Sequence, residues 1–149
     1  MFSSTVLSDA VGDQHINPPM KTTLTILLVE DEAQQREVLT MLFEVEGIRV
    51  VSVESAEEGF TQVDLLNPDI VVTDVKLTGI DGFSFFHKVR ENPKYSSLPF
   101  VFITGYNEPK AIAAVENLAP VAYITKPYNL EDLLRAVKQF LPSQQREAS

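Results

Sequence analysis

Five short apolar runs alternate along the chain with amphipathic stretches: LTILLV (24–29), IRVVSV (48–53), DIVVT (69–73), PFVFIT (99–104) and VAYI (121–124). All are rich in Val and Ile. All but the second are too continuously apolar for a sheet with one wet face, so they predict strands covered on both sides. The stretches between them carry helix signals. Residues 32–46 set Val38, Leu42 and Val45 on one side with Leu39 adjacent, and Gly47 follows as a stop. Ser55 and Glu58 have the spacing of a capping box ahead of Phe60, Val63 and Leu66. Segment 83–91 carries Phe83, Phe86, Val89 and Arg90 and ends before Asn92-Pro93. Asn129 is a good N-cap for a stripe of Leu130, Leu133, Leu134, Val137, Phe140 and Leu141, which Pro142 stops. The Ala-rich segment 107–119 is helix-prone but has little large apolar surface, which predicts a shallowly packed helix.

Five β/α units with connections long enough for crossover helices predict an α/β fold: a doubly wound parallel sheet with helices on both faces, in three layers. Residues 1–21 lack sustained periodicity and close on Pro18-Pro19, so they read as a flexible tail ahead of a domain over 22–142, with a polar tail over 143–149. Met20, just before the first apolar run, is a second candidate start. The beginning has neither a basic segment nor an apolar run of secretory length, and the expected location is cytoplasmic.

Composition narrows the function. Hydrophobic residues make up 44% of the 149 and charged residues 22%, the profile of a globular domain. With 12 Lys and Arg against 21 Asp and Glu, the net charge of -9 gives no basic footprint for a phosphate backbone, so direct nucleic-acid binding is not expected. No window has the apolar length of a membrane span. The absence of Cys excludes disulfides, thiolate zinc sites and cysteine nucleophiles. His15 and His87 are too far apart to suggest a histidine metal site or a Ser-His-Asp triad, and His87 reads as an ordinary helix residue. Any metal here must be held by oxygen.

Ligands of open parallel sheets bind beyond the carboxyl ends of the strands. The residues there are Glu30-Asp31 after the first run, Asp74 after the third, Thr104-Gly105 after the fourth and Lys126-Pro127 after the fifth. Three carboxylates, a hydroxyl and an ammonium are thus expected on one edge. Neighbouring carboxylates repel one another, and hard oxygen ligands suit Mg²⁺. With the ion bound, an Asp carboxylate can attack a phosphoryl group while Lys126 and the Thr104 hydroxyl stabilise its equatorial oxygens, giving an aspartyl phosphate.

These motifs, in this order, resemble the receiver domain of two-component response regulators over about residues 23–141. The resemblance implies a flavodoxin-like sheet of strand order 2-1-3-4-5. It implies Asp74 as the phosphorylation site, Asp31 as a direct Mg²⁺ ligand, Glu30 acting through metal-bound water, and the backbone carbonyl of Lys76 as the third protein ligand. Thr104 matches the hydroxyl that bonds the phosphoryl group, Lys126 the lysine of the site, and Tyr123 the aromatic switch three residues before it. A cis bond at Lys126-Pro127 is also implied. The phosphoryl group would come from a sensor histidine kinase or a histidine phosphotransfer protein. Inward turning of Thr104 would vacate space for Tyr123 and reshape the surface of the fourth helix (107–119), fifth strand and fifth helix for a downstream protein target or a phosphorylation-linked homodimer. Lys76 and Tyr106 are the side chains expected to obstruct attacking water. Such a chain is a signalling phosphoacceptor rather than a turnover enzyme, either standing alone or excised from a larger regulator.

The sequence departs from the family pattern in three places. Glu30 stands where Asp is commoner. Thr78 stands four residues after the acceptor where Pro is frequent, so the loop VKLTGIDGF relies on Gly79 and Gly82 for its turns. Pro120 replaces a small turn before the fifth strand. Two other classes remain to be separated. An aspartate-nucleophile phosphatase resembling the haloacid dehalogenases needs a second Asp two residues after the first, and that place holds Lys76. A flavodoxin wants a Ser/Thr/Gly-rich phosphate loop after the first strand, which EDEAQQ is not, but a receiver-like binding module working without phosphorylation stays open.

Overall fold

The computed structural model describes residues 23–105 and 120–140. The segment 107–119, Tyr106, Leu141, Pro142 and both predicted tails lie outside them. In chain order the elements are β1 (Thr25–Val29), α1 (Ala33–Val45), β2 (Arg49–Val53), α2 (Ala56–Leu66), β3 (Ile70–Asp74), α3 (Gly82–Arg90), a 3-10 turn (Pro93–Tyr95), β4 (Phe100–Thr104), β5 (Val121–Thr125) and α4 (Leu130–Lys138). The strands form one parallel sheet of order β2-β1-β3-β4-β5, as expected. Only the three inner strands are buried at every position. β2 and β5 are partly exposed at the sheet edges, each with one neighbouring strand, and β5 still packs on both faces, through Ala122 and Ile124 on one and Val121 and Tyr123 on the other.

The helix ends follow local chemistry. Gly47, at φ +80, ends α1 in the left-handed region, and its N–H donates to the Glu44 carbonyl. Ser55 Oγ accepts the Glu58 N–H at 3.1 Å, while the Glu58 carboxylate reaches back to the Glu54 N–H. Asp81 caps α3 through the Ser84 N–H, and Asn129 caps α4 through the Asp132 N–H, both at 2.8 Å.

Two cores result. On one face α1 and α4 cover Ile26, Leu28, Ile70, Val72, Val101 and Ile103 with Leu39, Phe43, Leu133 and Val137. On the other, α2 and α3 cover Leu27, Val29, Val71, Phe100 and Phe102 with Val63, Phe85, Phe86 and Val89. Several side-chain expectations are corrected here. The buried stripe of α1 is Leu39 and Phe43, whereas Val38 and Val45 face solvent. Phe60 and Leu130 are also exposed, at 42% and 41%. Phe85 is buried and Phe83 is the partly exposed ring of its cluster.

Candidate functional site

Each strand tip is tied to its neighbour one residue beyond the strand. Glu30 N–H donates to Val53 O at 3.1 Å, Val75 N–H to Ile103 O at 2.9 Å, and Lys126 N–H to Thr104 O at 2.7 Å. These ladders fix where the polar side chains emerge. Gly82 completes the frame: its N–H bonds Val75 O at 2.8 Å, and a Cβ on it would lie 2.4 Å from the Asp74 carbonyl. The start of α3 can therefore lie against the acceptor strand only without a side chain there.

Asp74 is buried and engaged at both oxygens. Lys126 Nζ lies 2.8 Å from Oδ2, and the Lys76 N–H donates to Oδ1 at 3.2 Å. The peptide bond Lys126-Pro127 is cis. Burial works against the Lys126 ammonium, but its bond to Asp74 and the charges of Asp74 and Glu30 outweigh this and raise its pKa. Thr104 is fully buried, and its hydroxyl donates to the Gly105 carbonyl at 3.1 Å. Tyr123 stacks on Phe102 with ring centroids 6.0 Å apart.

Glu30 is 2% exposed. One oxygen accepts the Glu32 N–H at 3.1 Å, while Oε1 is the buried polar side-chain atom left without a hydrogen-bond partner among the described residues. Burial, opposed by that backbone bond and by Lys126 and assisted by the charges of Asp74 and Asp31, pushes its pKa up to about 7. Asp31, whose charge also acts on Glu30, meets the loop after β3. Its Oδ2 accepts both the amide and the hydroxyl of Thr78 at 3.0 Å, and among the described residues no group of three or more acidic, His or Cys side chains is close enough to hold a metal by itself. The partner of Asp31 is thus a loop residue 47 positions downstream, which sequence spacing does not reveal.

The donor set nevertheless fits Mg²⁺. The ion takes one or two carboxylates and fills its remaining positions with carbonyl, water and phosphate oxygens. Glu30 Oε1, buried and without a hydrogen-bond donor among the described residues, is an oxygen that a hydrated cation could engage. Two further residues at this edge carry no sequence motif. Gln35 Nε2 donates to the hydroxyl of Tyr128, tying α1 to the β5–α4 loop, and the Tyr128 pKa is raised by burial first and by the charges of Glu30 and Asp74, against Lys126 and the Gln35 bond. Only the aromatic two residues after Lys126 hinted at this.

A family model for the response regulator receiver domain matches residues 26–138. The positive alginate biosynthesis regulatory protein of Pseudomonas aeruginosa is 34% identical over 119 residues, which cover 78% of this chain and 46% of that protein. Sporulation initiation phosphotransferase F of Bacillus subtilis is 26% identical over 117 residues, covering 78% of this chain and 93% of that one. The chain thus spans about half the length of some relatives and nearly all of others. Among solved structures, response regulator TrrA of Thermotoga maritima in complex with Mg(2+)-BeF aligns with a TM-score of 0.70 and 27% identity, over 79% of this chain and 99% of that one. No helix among the described residues is long and apolar enough to cross a membrane.

Proposed function

Because the chain belongs to the response regulator receiver domain family, we propose that it accepts a phosphoryl group on Asp74 from a phosphohistidine of a sensor kinase or phosphotransfer protein. The observation that carries this reading is Asp74 itself: a buried carboxylate at a strand tip, ion-paired at 2.8 Å to Lys126 and oriented by the Lys76 amide.

The reaction follows from these contacts. An oxygen of Asp74 attacks phosphorus in line, the P–N bond breaks, and its electron pair leaves on the imidazole nitrogen, which takes up a proton. Asp31, Asp74 and the Lys76 carbonyl are the groups that would hold Mg²⁺, with Glu30 behind them. Bound there, the ion would supply the positive charge that offsets repulsion between the carboxylate and the incoming phosphoryl oxygens. Lys126 keeps its proton throughout and exchanges a carboxylate oxygen for a phosphoryl oxygen. The Thr104 hydroxyl leaves Gly105 O to donate to the new dianion, and Tyr123, on the same face of the sheet, fills the space released. The domain is taken as residues 22–142, and its readout surface includes β5 and α4.

Phosphotransfer from the source organism's histidine kinases, with Asp74→Asn as control, tests the reading. Labelling of the wild type and none of the Asn variant is expected. Equal labelling overturns the acceptor assignment.

A further inference from the structure

The groups assigned above to the cation come from separate loops. Asp31 follows β1, whereas the carbonyl of Lys76 belongs to the loop after β3. The fold fixes the base of each loop through the strand-tip ladders, but those ladders stop at Glu30 and Val75, short of Asp31 and Lys76. Something else must set the distance between them. Thr78 bridges the gap: its backbone N–H and its hydroxyl both donate to Asp31 Oδ2, each at 3.0 Å.

Among the described residues both of these donors fall on Oδ2, which orients the carboxylate and leaves Oδ1 to face a cation. This is the arrangement by which outer hydrogen bonds orient a carboxylate for a metal. The glycine next to Thr78 allows it. Gly79, at φ +87, turns the chain in the left-handed region, so the Thr78 amide and side chain can both point back to Asp31. Thr78 is exposed, so its hydroxyl contributes little to burying the core.

We propose that Thr78 is a positioning residue for cation binding: its hydroxyl and amide tie the Asp31 loop to the Lys76 loop and hold Asp31 with one oxygen presented to Mg²⁺. This rests on the site reading given above and assigns a use to the residue at which the chain departs from the proline frequent in its family. The loop acquires by two hydrogen bonds the definition that a ring would otherwise impose on its backbone.

The test is a titration of the full chain with Mg²⁺ alone, followed by calorimetry and by the amide resonances of Asp31, Lys76 and Gly79. Thr78→Val keeps the amide and the side-chain shape but loses the hydroxyl, and Thr78→Ser restores the hydroxyl. Affinity is expected to fall about tenfold in the Val variant, the low end for an outer-sphere partner, and to return to the wild-type value in the Ser variant. Melting temperatures in chelator should be the same for all three, separating positioning from folding. Wild-type affinity in the Val variant overturns the proposal. So does tighter binding, which would make Thr78 a competitor of the cation, and so does a Val melting temperature that drops in chelator along with affinity. Asp31→Asn distinguishes the two levels of the argument. If it binds Mg²⁺ as tightly as the wild type, or if the wild type shows no saturable binding, the metal site itself is wrong and the role of Thr78 falls with it.

Discussion

Under α1 and α4 the buried cover is Leu, Ile, Val and Ala with Phe43, joined at the margin by the partly buried Tyr128 and Phe140, whereas under α2 and α3 the buried core holds Phe85, Phe86, Phe100, Phe102 and Tyr95. The aromatic side is laced by edge-on contacts. Phe86 sits 4.9 Å from Phe100 and 5.6 Å from Phe102, and the Arg90 guanidinium lies 4.7 Å from the Phe86 ring centre. The strand alternation carries this difference to the site. Ile26, Leu28, Ile70, Val72, Ala122 and Ile124 face the aliphatic side, so by period two Glu30, Asp74 and Lys126 continue that side at the tips. Phe100, Phe102, Val121 and Tyr123 face the other, and Thr104 continues it. The charged groups that would perform transfer and the hydroxyl and ring that would report it thus stand on opposite faces of one sheet. Asp74 and Thr104 lie on adjacent strands, where a phosphoryl group would join the two sets.

The largest expected effect separates the two packings. Phe86→Ala removes the ring at the centre of the aromatic contacts and should cost about 4 kcal/mol by chemical denaturation, while Leu39→Ala under α1 should cost about 3 kcal/mol. The distinction lies in what else moves. Phe86 reaches Tyr123 through Phe102, so the Tyr123 ring resonances should shift in the Phe86 variant and stay in place in the Leu39 variant. Equal shifts in both would show that the faces differ in composition without separating transfer from readout.

The charged end of the aliphatic side gives a pH signature. With its pKa at about 7 in the folded protein against 4.5 ordinarily, Glu30 holds a proton when folded that it loses on unfolding between those pH values. Stability without metal must therefore fall as pH rises from 4.5 to 7, by about 3 kcal/mol in all. Burial is the main cause; Asp74 and Asp31 add to it, and Lys126 and the Glu32 amide oppose it. In chelator, Glu30→Gln should melt with the wild type near pH 4 and above it at pH 8, and Mg²⁺ added to the wild type at pH 8 should close the gap. Parallel melting curves across pH would remove the electrostatic contrast between the faces.

Much of this contrast is legible in the sequence. Continuous Val and Ile runs mark the inner strands, and the rule for parallel sheets points to their carboxyl ends, where Asp74 and Lys126 meet. Helix faces read less clearly. α1 carries two overlapping apolar stripes, Val38 with Val45 and Leu39 with Phe43, and periodicity alone does not choose between them. The larger Phe43 ring takes the core, and Val38 and Val45 are left outside. Loop side chains are the least legible. The Thr78 bonds to Asp31 span 47 positions and that of Gln35 to Tyr128 spans 93, and both depend on how the folded loops close. The glycines that permit such closure are visible in the sequence, but their partners are not.

The smallest effect concerns how each face is fastened away from the site. On the aliphatic side Lys138 of α4 meets Glu46, just past α1, at 2.9 Å, with the side chains 18% and 30% exposed. On the aromatic side the corresponding fastening is Arg90, whose guanidinium donates to Tyr95 O at 2.7 Å and to Pro120 O at 3.5 Å while stacking on Phe86. Burial lowers the pKa of Arg90, so its charge sits in a poorly solvated place and depends on those carbonyls. The Lys138 pair retains water, which limits its value to about 1 kcal/mol and makes it sensitive to salt. A double-mutant cycle of Lys138→Met and Glu46→Gln should give a coupling of that size in dilute buffer and a smaller one in about 1 M salt, where screening reaches a few ångströms. A coupling several times larger that persisted in salt would place the two faces on an equal footing, with a buried ion joint under α1 and α4 as firm as the arginine under α3.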